Sequence, residues 1–454
     1  MKAKDLIDSI NSSSGAALLE SLYGHEAVLR ESKRYTSLAE EMSAEAGFPV
    51  EFSCSGGDLR VFSAPGRTEL GGNHTDHNRG RVLAASIQMD AVAVVVPRDD
   101  RQVFFRSKGF DDVLVNLEGK DGKPDLSPKQ EEIDTTEALV RGIAAEFASR
   151  GVKVKGFSAN ASSTVLKGSG LSSSAAVEVL FAKIFDGLYG ENQCSAVELA
   201  QISQKAENLY FGKPCGLMDQ AASASGGAVA IDFADPAAPI VNKIEFNPLA
   251  AGYVLCVVNP RGSHADLTPD YAAIPREMNT VARCFGKTFL RELDLPQVLS
   301  QTAKVRETAG DRALLRAIHF FNEDGRAAAM AALLRELAAA KNSDEQQEKM
   351  ARFLDLVNES GDSSWELLQN IYSPRDPLAQ EISLALAISR EFFREHGLKA
   401  ACRIHGGGFA GTIQTYIPVD WLDGYRAQME ALFGPDALTV LRIRQAGAVE
   451  VKFN

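Results

Sequence analysis

Three glycine-rich segments constrain this chain more than any other feature, because each attaches to a strand-like run and forces the backbone to turn or approach another surface closely. The first spans residues 64–78, Ala64-Pro65-Gly66-Arg67-Thr68-Glu69-Leu70-Gly71-Gly72-Asn73-His74-Thr75-Asp76-His77-Asn78. Its crowd of polar side chains after a strand suits a ligand with many hydroxyls, since buried polar groups need fixed partners. The same residues also read as a solvated turn built on Asn and Asp. A metal site on His74, Asp76 and His77 is a third reading, with no further ligand evident.

The second segment is Lys167-Gly168-Ser169-Gly170-Leu171-Ser172-Ser173-Ser174-Ala175-Ala176. Its serines are expected to cap a helix whose first N–H groups face the turn, which makes an anion site from orphan donors and the helix dipole. It lacks the GxxxxGK[ST] spacing, and Ser173 stands where the dinucleotide fingerprint needs its third glycine. Alone it could equally be a serine-capped helix without a ligand. The third segment, His405-Gly406-Gly407-Gly408-Phe409-Ala410-Gly411, lies between strand-like runs at 400–405 and 412–417. So many glycines suit a hairpin only if the backbone needs unusual dihedrals or close approach. Glu207 ends one helical run and Asp219 starts the next, in Cys215-Gly216-Leu217-Met218-Asp219-Gln220. Two such acids could serve as metal ligand and base, or each could be a surface or capping acid.

Periodicity fills in the frame. Residues 1–48 read as helical, with Leu6, Ile7 and Ile10, then Leu18, Leu19 and Leu22, at helical spacing. Residues 82–90 and 91–97 are apolar stretches either side of Asp90, predicting two adjacent buried strands. Strands are expected at 59–64, 103–106, 113–117, 157–164, 228–233 and 253–258. Helices are expected at 131–149 (apolar positions Ile133, Leu139, Ile143 and Phe147), 172–185, 196–210, 327–340 and 384–396. The segment 235–252 carries Pro236, Pro239 and Pro248 and marks a boundary. The expected division is a helical extension at 1–50, an N-terminal domain at 51–245 and a C-terminal domain at 246–454.

The chain has 454 residues with 48 Lys+Arg against 60 Asp+Glu, a net charge of -12. That balance argues against broad binding to nucleic acid or an anionic membrane, although local donors can still hold a small anion. Cys54, Cys194, Cys215, Cys256, Cys284 and Cys402 form no CxxC pair or zinc spacing and read as reduced thiols of a cytoplasmic protein. No apolar run reaches the length of a signal-peptide core at the N-terminus, or of a membrane span anywhere.

Together and in order, these segments resemble the motifs of the GHMP small-molecule kinases, and within them the galactokinase family. The resemblance covers about residues 59–420. It implies two α+β domains with the active site between them, and an ATP- and Mg²⁺-dependent transfer to the anomeric hydroxyl of a galactose-type sugar. It implies that Asp219 is the catalytic aspartate, with Arg67 beside it. Lys167, Gly168, Ser169, Gly170, Leu171, Ser172 and Ser173 would form the nucleotide loop, with Ser174 and Glu207 as magnesium ligands. Glu69, Asn73, His74, Asp76, Gly216 and Tyr271 would fall at sugar-binding positions. The partners implied are the sugar and ATP, with a monomer or weak dimer as the assembly. Asn73 stands where galactokinases carry a glutamate, Glu69 where they carry an asparagine, and His77 where they carry a tyrosine. Galacturonate kinases share the missing glutamate and the histidine, while Thr75 matches galactokinase. A related sugar such as galacturonate or N-acetylgalactosamine, and a non-catalytic sugar and ATP sensor, are the alternatives.

Overall fold

In the computed structural model, which describes residues 1–42, 48–52, 58–166, 168–262 and 267–453, the apolar stretches around Asp90 form one strand rather than two. The strands are β1 Arg60–Gly71, β2 Arg81–Pro97, β3 Gln102–Ser107, β4 Val113–Asn116, β5 Phe157–Ser163, β6 Ala228–Asp232, β7 Ile240–Ile244, β8 Tyr253–Val258, β9 Ala401–His405, β10 Thr412–Pro418, β11 Leu438–Leu441 and β12 Val449–Glu450. The first sheet has the order β12-β1-β2-β5-β3-β4, and β6 and β7 extend it from β2. The second has the order β11-β8-β10-β9. The α-helices are α1 Ala3–Ile10, α2 Ser13–Tyr23, α3 Val28–Glu40, α4 Thr136–Ser149, α5 Ser173–Tyr189, α6 Ala196–Ala206, α7 Met218–Ser225, α8 Thr268–Arg283, α9 Leu295–Ser300, α10 Thr302–Ala309, α11 Asp311–Ala338, α12 Ser343–Ser363, α13 Glu381–Glu395 and α14 Leu422–Phe433.

The long strand β2 explains its own composition. Val92, Val94 and Val96 pack against Leu19, Tyr23 and Leu38 of the N-terminal helices. Ala91, Ala93 and Val95 belong to the opposite core, with Phe62, Val140, Phe181 and Phe185. A strand covered on both faces needs apolar residues at every position, not an alternating pattern. Asp90 survives inside it because two guanidiniums and a tyrosine hydroxyl satisfy its carboxylate.

Several boundaries differ from the sequence expectation. Strand β1 does not stop at Ala64 but runs through Pro65 and Gly66, with a register shift against β2 between Pro65 and Arg67. A bulge tolerates the missing proline donor. The helix expected at 131–149 starts at Thr136, capped by the Thr135 hydroxyl, and Ile133 lies outside it, 43% exposed. The helix expected at 196–210 changes to a π-turn at Glu207–Phe211. The proline-bearing segment 235–252 contains β7, paired antiparallel with β6. The glycine run at 405–411 does join an antiparallel pair, with Thr412 opposite His405.

Candidate active site

The end of β1 and the turn after it carry the first polar segment into a cleft of about 300 Å³. Arg67, Glu69, Asn73, His74, Asp76, His77, Gly216, Asp219 and Tyr271 line it, joined by Lys213, Pro214, Cys215, Met218, Gly406 and Gly407. Residues distant in sequence meet there because β1, α7 and the β9–β10 turn converge.

Asp219, in the first turn of α7, is the focus of the cleft. Arg67 Nε donates to its Oδ1 at 2.8 Å, and Ser172 Oγ donates to its Oδ2 at 2.5 Å. Burial alone would raise the Asp219 pKa, but the Arg67 charge and these hydrogen bonds hold it below the usual carboxylate range. Arg67 also bonds the turn of the second segment: its N–H donates to Leu171 O at 3.0 Å, and its Nη1 donates to Gly170 O. Gly66 permits this approach, since a Cβ there would lie 2.7 Å from Leu171 O.

The serine cap is not formed as expected. Ser172 precedes α5 in the left-handed region, φ 57°, and its hydroxyl reaches Asp219 rather than a helix amide. The first N–H groups of α5 therefore lack a side-chain cap from Ser172 and face the turn. His74 (φ 59°) and Phe409 (φ 61°) are left-handed too, so each glycine-rich segment holds one non-glycine residue in this costly conformation. Gly168, Ser169, Gly170 and Leu171 make up the turn itself; Ser169 and Leu171 are buried, and Thr412 Oγ1 donates to Ser169 O at 2.7 Å. Ser173 and Ser174 open α5, with Ser174 exposed. Lys167 lies outside the described residues.

Glu207 sits at the junction of α6 and the π-turn. Its carboxylate accepts from Gln220 Nε2 at 2.8 Å and Lys213 Nζ at 3.1 Å. The same Gln220 nitrogen donates to Glu178 at 2.9 Å. Burial and the neighbouring Glu207 push the Glu178 carboxyl up to about 8. Glu178 Oε1 is buried without a partner. Glu178 and Gln220 were not singled out in the sequence. The signals available were Glu178 one helical turn after Ser174 and Gln220 adjacent to Asp219.

The positions expected to bind sugar divide into two kinds. Asn73 is fully buried and its amide is already satisfied: Nδ2 donates to Gly406 O at 2.7 Å and Glu69 Oε1 at 3.1 Å, and Oδ1 accepts from Asn370 at 3.0 Å. Glu69 is buried against Arg403, which is fully buried on β9. Burial raises the Glu69 pKa, with Arg403 and Arg67 opposing. His74, Asp76, Gly216 and Tyr271 are less enclosed. His74 Nε2 donates to Gly407 O at 2.8 Å, and burial pushes its imidazole down to about 4. Tyr271 Oη donates to Gly408 O at 3.0 Å. A Cβ on Gly216 would lie 2.0 Å from Asp76 Oδ2, so only glycine allows that contact. Among the described residues, no group of three or more His, Cys, Asp and Glu side chains is arranged to hold a metal ion.

Residues 138–227 match the model of the GHMP kinases N terminal domain, and residues 46–97 match the galactokinase galactose-binding signature. A galactokinase of Streptomyces coelicolor is 29% identical over 85% of this chain and 92% of its own. A galactokinase of Clostridium tetani is 30% identical over 60% of this chain and 67% of its own. The crystal structure of Lactococcus lactis galactokinase complexed with galactose superposes with a TM-score of 0.70 at 22% identity, over 87% of this chain and 95% of that one. Methanococcus jannaschii mevalonate kinase superposes at a TM-score of 0.53 and 13% identity, over 86% and 99%. The structural likeness is one of fold.

Proposed function

From its place in the galactokinase family of GHMP kinases, to which this chain belongs, we propose that it transfers the γ-phosphoryl group of ATP to the anomeric hydroxyl of galactose. The observation that carries the reading is the Arg67–Asp219–Ser172 constellation at the junction of the polar cleft and the N-terminus of α5.

In the proposed step the sugar oxygen forms a bond to the γ-phosphorus and the bond to the β,γ-bridging oxygen breaks. The hydroxyl proton passes to Asp219, and ADP leaves. Asp219 is held ionised by Arg67 and Ser172, so it is a weak base for an alcohol. A loose phosphoryl-transfer transition state requires little prior deprotonation. Positioning of the hydroxyl and charge stabilisation by Arg67 and the helix N–H groups therefore dominate. Ser172 aligns the carboxylate between the two substrates.

Mg²⁺ fits the residues present. The Ser174 hydroxyl and the Glu207 carboxylate are hard oxygen donors, and the unpartnered Glu178 oxygen lies in the same buried carboxylate cluster. Ser174 and Glu207 would hold the ion, which when bound neutralises phosphate charge.

Galactose is favoured over a sugar bearing a C6 carboxylate by the charges of the cleft. Among the described lining residues, Arg67 is paired with Asp219 at 2.7 Å and Lys213 with Glu207 at 3.1 Å. Glu69 is paired with Arg403, and Asp76 adds negative charge. A second anion would enter against that field. Asp76 and His74 are proposed as sugar contacts, while Asn73 and Glu69 brace the wall behind them. The boundary near residue 245 is proposed on the change of sheet between β7 and β8.

The test is ADP release with MgATP over galactose, galacturonate, N-acetylgalactosamine, glucose and arabinose. Turnover with galactose is expected. Activity confined to galacturonate would overturn the sugar, and sugar and ATP binding without any ADP release would favour a sensor.

A further inference from the structure

The N-terminal helices do more than cover the sheet. Tyr23, the last residue of α2, and Arg34 of α3 reach through the core to Asp90, and the Tyr35 hydroxyl of α3 bonds that of Tyr23. Asp90 is completely buried and pairs in register with Pro65, at the β1 bulge just before Arg67. Arg34 Nη1 donates to Asp90 Oδ1 at 2.7 Å, and Arg34 Nη2 to the Asp90 carbonyl at 3.2 Å. Nη1 also donates to the buried Glu31 Oε2 at 3.0 Å, and two bonds go to the end of β5: Nε to Ser162 Oγ at 2.7 Å and Nη2 to the Ser162 carbonyl at 2.8 Å. Tyr23 Oη, Arg444 Nη1 and Ser63 Oγ complete the Asp90 carboxylate.

Both arms of the phosphate-binding arrangement leave from this point. Thr164 follows β5, and its N–H donates to the Asp90 carbonyl at 2.9 Å while Asp90 N–H donates to Thr164 Oγ1 at 3.1 Å. The chain then enters the turn that ends at Ser172. On the other arm, Pro65 and Gly66 lead to Arg67, whose N–H closes on Leu171 O at 3.0 Å. Arg34 thus touches β5 and β2 at once, where a planar fork with several donors can fix two backbones that a lysine cannot.

We propose that Arg34 is a positioning residue for the nucleotide side of the reaction, setting the turn at 168–172 and the Arg67 strand from their common origin at Asp90 and Ser162. The inference rests on the kinase reading above and extends it to the N-terminal helices. Arg34 touches no proposed substrate position, so its effect on nucleotide affinity is exerted through the turn and the Arg67 strand.

The test compares wild type with Arg34→Met, Arg34→Lys, Ser162→Ala and Leu19→Ala. Ser162→Ala removes one acceptor but leaves Asp90 paired, so it remains informative if Arg34→Met does not fold. Leu19→Ala loosens the same helical layer from a buried apolar position away from the Asp90 hydrogen bonds. Calorimetric MgADP affinity without sugar is the primary readout, with KM for galactose and melting temperature beside it. Arg34→Met is expected to weaken MgADP about tenfold, the factor of one net hydrogen bond's misplacement. Ser162→Ala is expected to weaken it by a smaller factor, with lysine failing to rescue Arg34. Unchanged MgADP affinity in the Arg34 and Ser162 variants overturns the inference. So does an equal loss in Leu19→Ala at the same melting temperature. If wild type binds no MgADP, the kinase reading itself fails.

Discussion

At the scale of single residues, the cleft places its chemistry on Asp219 and its shape on Gly216. Asp219→Asn keeps the size and the hydrogen-bonding reach but loses the anion that pairs with Arg67 and is proposed to accept the proton. Its kcat with galactose is expected to fall about 10²–10⁴-fold; near-wild-type turnover would remove Asp219 from the role of base. Gly216→Ala places a methyl group 2.0 Å from Asp76 Oδ2, so the carboxylate must move. The expected result is a galactose KM raised about tenfold or more with MgADP affinity unchanged. Equal loss on both substrates would mean that Asp76 does not face the sugar. These candidate residues were legible because residue types and order survive in a linear chain. The fate of Asn73 was not, since the atoms that satisfy its amide come from Gly406, Glu69 and Asn370.

At the scale of elements, the turn before α5 trades local comfort for alignment. Ser172 is held at positive φ while its hydroxyl reaches across to α7. Ser172→Gly relieves the backbone and loses the hydroxyl, whereas Ser172→Ala loses the hydroxyl and keeps the strain. Both variants should lose turnover equally, while the alanine variant should be less stable than the glycine variant by about 1 kcal/mol in urea titration. Equal stability would show that the conformation carries no strain. The helix itself was readable from its apolar spacing and serines. Its cap was not, because cap or cross-link is decided by which acceptor lies nearest in space. The same holds for β2: composition announced buried strands, but only helices on both faces of the sheet made Asp90 an interior residue of one continuous strand.

At the scale of the whole molecule, His405 lies between the two sheets. Its Nε2 meets Thr68 Oγ1 of β1 at 3.0 Å, and its Nδ1 meets Thr412 Oγ1 of β10 at 3.1 Å. Thr412 gives its proton to Ser169 O, so Nδ1 donates and Nε2 accepts. Burial, then the charges of Arg67 and Arg403, push this imidazole down to about 3. A folded-state value below the unfolded value of about 6.5 means that the unfolded chain binds the extra proton. The stabilisation from His405 is therefore full above about pH 6.5 and falls as pH drops toward 3, by about 1.4 kcal/mol per pH unit. Glu178, raised to about 8, acts in the opposite sense, so the comparison must be made between variants. Melting temperatures from pH 7.5 to 4.5 should fall more steeply for wild type than for His405→Gln; parallel curves would place the proton on His405 in the folded state. By itself the sequence determined the ordered motifs, the residue types at the cleft and the apolar faces of most helices, because these depend on covalent order and short-range periodicity. Only the tertiary structure decided that Asp90 is a paired interior charge, that Ser172 bonds Asp219, and that the N-terminal helices reach the strand end from which the turn before α5 departs. Each of those rests on atoms brought together by chain closure over dozens to hundreds of residues, and no local spacing records such a meeting.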